Sequence, residues 1–189
     1  MDKDETKVLV ISSSLAAKSR SRIMAQVALE SLRKLNMVEP RWIDLAEFDL
    51  LPYPRSENDP ALNWMREEFE AADGFVLSCP IYNWGAAASL TNFLHYVLDS
   101  DGGRRYRPFI TLAGAGTVRS HLAVDGVARS ILNEIRGIQV GPPILGAGSE
   151  VDRESATVDR ALTERIDEVI EVLVVHSMVY AQRFAKSMA

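Results

Sequence analysis

The chain has 189 residues, 47% of them hydrophobic and 25% charged, a balance that supports one folded domain over residues 1–189 and excludes disorder as the default. A formal net charge of −5 with no Lys/Arg block argues against nucleic acid or an anionic membrane surface as partner, leaving small molecules and other proteins. One cysteine, Cys79, makes no internal disulfide, Met1–Glu5 lacks the apolar run of a signal peptide, and no segment reaches transmembrane length, so a reducing cytoplasm is the expected location.

Apolar runs of strand length alternate with segments of helical period along the whole chain, the pattern of βαβ units and a parallel sheet. Strands are expected at Val8–Ser12, Pro40–Asp44, Phe75–Cys79, Phe109–Ala113 and Gln139–Leu145, the last broken by Pro142-Pro143. Helices are expected at Ser21–Leu35, Ala61–Ala72, Ser89–Leu98, Arg119–Ile135 and Val158–Phe184. This makes an α/β three-layer sandwich around a five-stranded parallel sheet. Right-handed crossovers favour the doubly wound order 2-1-3-4-5, with a ligand crevice where strands 1 and 3 part. The Leu45–Pro60 segment, with Pro52, Pro54 and Pro60, is long for a strand-to-helix connection, as functional or partner-contacting loops often are.

Three connections converge on that crevice. After the first strand, Ser12-Ser13-Ser14 leads to Ser19-Arg20-Ser21 at a helix start, where free N–H groups and the positive helix end favour an anion such as phosphate. Ser19 or Ser21 also suits a plain N-cap. After the third strand, Pro80-Ile81-Tyr82-Asn83-Trp84-Gly85 sets a polar residue between two large aromatics, which suits a flat heteroaromatic ligand whose edge Asn83 would read. Trp84 equally suits a cover for the sheet end or an oligomer interface. After the fourth strand, Gly114-Ala115-Gly116 permits close backbone approach, although alone it reads as a tight turn.

These residues resemble the NAD(P)H-dependent FMN reductases of the flavodoxin-like superfamily, relatives of azobenzene and quinone reductases, along nearly the whole chain. Ser12-Ser13-Ser14-Leu15 with Ser19-Arg20-Ser21 resembles the FMN-phosphate loop of that family, and Pro80-Ile81-Tyr82-Asn83 with Leu90, Asn92 and Tyr96 resembles its Pro-x-Tyr-Asn loop and following helix. Asp44-Leu45, Leu51-Pro52 and Val140 with Pro142-Pro143 also sit where the family has similar residues. The departures are Ser13 for a Gly, Ala16 for the phosphate-loop Arg, Ser21 for an Asn and His95 for an Asp, with Trp84 where a smaller residue is frequent. With Ala16 in place of that Arg, either Arg20 or Arg22 supplies the charge or the phosphate is held more weakly.

The resemblance implies bound FMN, NADPH or NADH as co-substrate, and a small-molecule electron acceptor reduced in ping-pong fashion. The flavin carries the chemistry, so no catalytic side chain is required. The cofactor-binding set it implies is Ser14, Ser19, Arg20, Ser21, Pro80, Ile81, Tyr82, Asn83, Trp84, Gly85, Gly114, Ala115 and Gly116. A homodimer or homotetramer is expected, with the Leu50–Tyr53 loop, Trp84 and the helix bearing Phe93, Leu94 and Tyr96 near a subunit boundary. The rival from another class is a flavodoxin-type FMN electron carrier without nicotinamide chemistry. A third reading is a scaffold whose Ala16 and Trp84 changes have abolished cofactor binding.

Other chemistries lack their residues. There is no Gly-x-Gly-x-x-Gly, no Gly-x-x-x-x-Gly-Lys-Ser/Thr and no Gly-x-Ser-x-Gly. His95, His121 and His176 lack metal-ligand spacing, and Cys79 reads as a small buried residue at a strand end.

Overall fold

The computed structural model describes residues 5–55, 59–98 and 106–188, with side chains through residue 183. In chain order it contains β1 (Thr6–Ser12), α1 (Arg20–Arg33), β2 (Val38–Asp44), α2 (Pro60–Ala71), β3 (Gly74–Tyr82), β4 (Gly85–Ala86), α3 (Ala88–Leu98), β5 (Pro108–Ala115), α4 (His121–Ile135), β6 (Ile138–Gln139), β7 (Ile144–Ala147), β8 (Val151–Asp152), β9 (Thr157–Val158) and α5 (Arg160–Met188). The main sheet runs β2-β1-β3-β5-β6, with β7 also beside β5 and every pairing parallel except that of β4.

That is the expected order 2-1-3-4-5, with the fifth strand in two pieces. β6 pairs with Pro108 and Phe109, and β7 with Leu112 to Ala115. Between them stand Pro142 and Pro143, which have no N–H to give to a ladder, so the strand expected as Gln139–Leu145 is interrupted there.

Alternation along the strands divides the core into two layers. Val8, Val10, Val76, Ile110 and Leu112 meet Met24 and Leu32 of α1 and Ile166, Ile170 and Leu173 of α5. Leu9, Ile11, Phe75, Leu77 and Phe109 meet Met65 and Phe69 of α2, Phe93 and Leu94 of α3, and Val127 and Ile131 of α4. Strands covered on both faces read as near-continuous apolar runs, which is why their positions were legible.

Element ends depart from expectation where side chains or turns intervene. Asp59 caps α2 by accepting from the Ala61 N–H at 2.9 Å, and Pro60 takes the first helical position, where its missing N–H is no loss. A 3-10 turn at Val118–Ser120 precedes α4, so the helix expected from Arg119 begins at His121. Val158, expected to open the last helix, instead pairs with Val151 in a β8–β9 hairpin, and α5 begins at Arg160. β3 and β5 each run further than expected, to Tyr82 and Ala115, carrying residues read as loop into the sheet.

Cys79 lies fully buried in β3, and that burial pushes its thiol up to about 12. The folded protein therefore holds the neutral thiol while the unfolded chain ionises above its ordinary value of 9.0, so this contribution is present below pH 9 and is lost as pH rises toward 12. Cys79→Ala should flatten the alkaline limb. Between pH 9 and 11 the wild type should lose about 1.4 kcal/mol more unfolding free energy per pH unit than the variant, measured by urea denaturation.

Candidate functional site

β1, β3 and β5 lie side by side, and the connections after their C-terminal ends meet at one edge of the sheet. Ser12 pairs with Ser78 and Pro80 with Gly114, so all three groups of residues singled out in the sequence come together there.

The β1–α1 connection is a built structure. The Ser13 N–H and hydroxyl both donate to the Ser78 carbonyl at 2.9 Å, and the Ser89 hydroxyl donates to the Ser13 carbonyl, tying the loop to β3 and α3. Ser14 Oγ accepts from the Ala16 N–H at 3.3 Å. Ser19 is the N-cap of α1, its hydroxyl accepting from the Arg22 N–H at 3.3 Å and lying 3.0 Å from the Ser21 hydroxyl. The capping reading and the anion-site reading therefore occupy the same hydroxyls.

Arg22 organises this loop. Its Nε donates to Asp44 Oδ2 at 2.6 Å, Nη1 to the carbonyls of Ala16 and Ala17 at 2.6 and 3.2 Å, and Nη2 to the Ser14 carbonyl at 2.6 Å. In a planar trans peptide the next residue's N–H points opposite to each carbonyl, so the amides of Leu15, Ala17 and Lys18 turn away from the guanidinium. Outward-turned amides beside a helix N-terminus make an anion-binding concavity. Arg22 is thus taken up by loop and carboxylate. Arg20 is held less firmly, with Nε and Nη2 both 3.4 Å from the Gly148 carbonyl.

The surroundings carry further charge. Lys18 pairs with Glu154 of the β8–β9 hairpin. Asp152 accepts from the Glu154 N–H and the Ser155 hydroxyl, which hold its carboxyl below the usual range, with the Arg20 charge a lesser contributor. Ser12 Oγ, at the root of the loop, is fully buried with no hydrogen-bond partner among the described residues. A buried hydroxyl, free amides and a helix N-terminus within one loop fit the phosphate end of FMN.

Gly114 has a structural reason of its own. A Cβ there would stand 2.5 Å from Ser21 N and 3.0 Å from its Cα, so the missing side chain lets the start of α1 press onto β5. Ala115 is buried in the same strand, and Gly116 faces open space.

The Pro80–Gly85 segment is a hairpin rather than an open loop. Ile81 pairs with Ala86 and Tyr82 with Gly85, so Asn83 and Trp84 are the two turn residues, with φ of 48° and 67°. A two-residue turn of this kind needs positive φ at both positions, which Asn tolerates and Trp resists. The turn holds Tyr82 and Trp84 outward, 55% and 61% exposed.

A groove of about 740 Å³ adjoins the loop on the α3 side, lined by Leu15, Phe48, Leu50, Tyr53, Asn92 and His95 among others. Its wall is pinned by α3. Asn92 Oδ1 accepts from the Tyr53 N–H at 2.7 Å, Asn92 Nδ2 donates to the Leu51 carbonyl at 3.0 Å, and Tyr96 Oη donates to the same carbonyl at 3.1 Å. His95 packs at 5.7 Å on Tyr53 and lies 3.8 Å from Glu134. Phe93, Leu94 and Tyr96, expected at a subunit boundary, are instead buried in this chain's own core, because α3 turns that stripe toward α2 and the sheet. The Arg22–Asp44 clamp and this groove join residues far apart in sequence; Asp44, Leu15, Asn92 and His95 were singled out through the resemblance, Arg22 as one of two candidate charges and Leu50–Tyr53 as a boundary loop, but no signal joined them to one another.

The strained turn yields a direct test. Relieving a left-handed L-residue gains about 1–2 kcal/mol, and the added freedom of a glycine in the unfolded chain costs about 0.5–1. Trp84→Gly should therefore unfold at slightly higher denaturant than wild type. A clear loss of stability would show that Trp84 is held by packing.

The chain is 26% identical over 147 residues to "FMN reductase (NADPH)" of Escherichia coli strain K12, covering 77% of this chain and 75% of that protein. It is 26% identical over 179 residues to "NADH-dependent FMN reductase SfnF" of Pseudomonas putida, covering 92% and 94%. The apo crystal structure of the NADH:FMN oxidoreductase EMOB superposes with a TM-score of 0.73 at 19% identity, covering 90% of this chain and 89% of that one. Residues 6–152 match the family model described as NADPH-dependent FMN reductase, and the chain belongs to that family, as an FMN-using, NAD(P)H-dependent oxidoreductase.

Proposed function

We propose that the enzyme passes a hydride from NADPH or NADH through bound FMN to a small acceptor, a quinone, free flavin, azo compound or metal oxyanion, in a ping-pong sequence. The observation that carries this is the meeting of the α1 N-terminus, the β3–β4 hairpin and the β5 end at one edge of the sheet. FMN, when bound, supplies the two-electron chemistry.

The chain's own residues bind and orient. Ser14, Ser19 and Ser21 with the outward amides receive the phosphate, and Arg20 leaves its long contact with Gly148 to add charge in place of Ala16. Pro80 to Gly85, with Asn83 at the turn, and the backbone of Gly114, Ala115 and Gly116 border the ring. Tyr82 and Trp84 form an exposed aromatic wall against which flat molecules stack, which favours loosely specified acceptors. The protein works as one FMN-binding domain over residues 1–189 and assembles as a homodimer or homotetramer, with Leu51, Tyr53 and Trp84 near a boundary. A cytoplasmic location fits the lone buried cysteine, and no helix among the described residues is long and apolar enough to cross a membrane.

Two measurements test the reading. Anaerobic stopped-flow mixing of the FMN-loaded protein with NADH or NADPH should bleach the flavin band, and if neither does so the flavodoxin-type carrier takes over. Ser14→Ala with Ser19→Ala should weaken FMN binding by roughly 1–3 kcal/mol, the scale of lost hydrogen bonds to a charged group. Unchanged affinity removes the phosphate assignment.

A further inference from the structure

The middle of α5 is apolar on two sides. Leu162, Ile166, Ile170 and Leu173 are buried against the sheet and α1. On the outer side Val172, Val175 and Val179 recur at i, i+3 and i+7, with exposures of 39%, 59% and 61%. A surface helix ordinarily turns polar residues outward, and this outer side does carry exposed Glu168, Glu171, His176 and Arg183, but around the valines rather than in place of them. Single exposed valines are ordinary, but three on one stripe over two turns form a continuous strip.

The charges at the two ends of the strip differ in sign. Glu168 and Glu171 are exposed on its N-terminal side, and Arg183 is exposed on its C-terminal side. Such a strip is complementary to itself when reversed. A parallel copy would set Glu168 beside Glu168, whereas an antiparallel copy sets acid beside base.

We propose that this face of α5 binds a second copy of the chain, the two helices crossing antiparallel about a two-fold axis beside Val175. In that register Val172 lies opposite Val179 of the second copy, and Glu168 opposite its Arg183, each pairing occurring twice by symmetry. The surface belongs to the α1/α5 layer, on the other side of the sheet from the α3 groove. It is therefore independent of any boundary at the flavin edge and of the hydride reading.

Sedimentation velocity of the full-length chain with FMN added, at micromolar concentration, tests it. The wild type should sediment at a multiple of the 21.0 kDa chain, and Val175→Asp should halve that mass with the flavin absorbance and far-UV circular dichroism unchanged. The dissociation constant should rise about thirtyfold or more, the scale of a central interface residue. Glu168→Arg and Arg183→Glu should each weaken association about threefold to tenfold, and the two together should restore it, as only opposed charges would. A wild-type mass of 21.0 kDa overturns the proposal. So does an assembly that Val175→Asp leaves intact, which would place the interface elsewhere.

Discussion

The site depends on one guanidinium. Arg22 binds the carboxylate of Asp44 at the end of β2 and, on its other nitrogens, carbonyls of the loop that follows β1. Both partners are largely shielded, with side-chain exposures of 15% and 8%, so the pair is screened less than a surface ion pair. Three loop carbonyls compensate the remaining donors, as a shielded charge requires. An adaptable stretch of small residues thereby takes one shape with its amides turned outward. Without that charge the carbonyls would have no common target, and the same amides would have no reason to point one way.

The other parts of the site are fitted to this loop. Gly114 permits α1 to start hard against β5, and the Ser78 hydroxyl donates to the Ser21 carbonyl at 2.7 Å, bonding β3 to the first turn of α1. The Ser13 and Ser89 contacts extend the same fixation to β3 and α3. Strands and helix thus hold the β1–α1 loop in one arrangement. The aromatic wall is different, since Tyr82 and Trp84 project from a tight turn with little packed around them. An L-residue as large as Trp at positive φ is a local cost that the hairpin pairing sustains. The loop after β1 is held in one shape by many hydrogen bonds, while the two hairpin aromatics are exposed.

The two faces of the sheet have different surfaces. On the α3 side, Asn92 and Tyr96 spend their polar atoms on the Leu51–Tyr53 backbone and shape a groove. On the α5 side a valine strip lies between acidic and basic ends.

The sequence by itself determined the layers, the strand order and the three converging connections. Fully covered parallel strands leave apolar runs, and handedness leaves few ways to connect them. It also marked Ser14, Ser19, Arg20 and Tyr82 to Gly85 as a group, because strand ends and helix starts impose local residue choices. It did not show that Pro80 to Tyr82 continue β3, that Val158 belongs to a hairpin, or that Phe93 and Leu94 point inward. Those outcomes turn on pairing and facing partners, and a local pattern is the same whichever neighbour covers it. The Arg22–Asp44 clamp lay further out of reach, since the two residues are 22 positions apart and no periodicity links them. Only the tertiary structure, by setting the end of β2 beside the start of α1, decided which arginine shapes the loop and which stays near it with weaker ties.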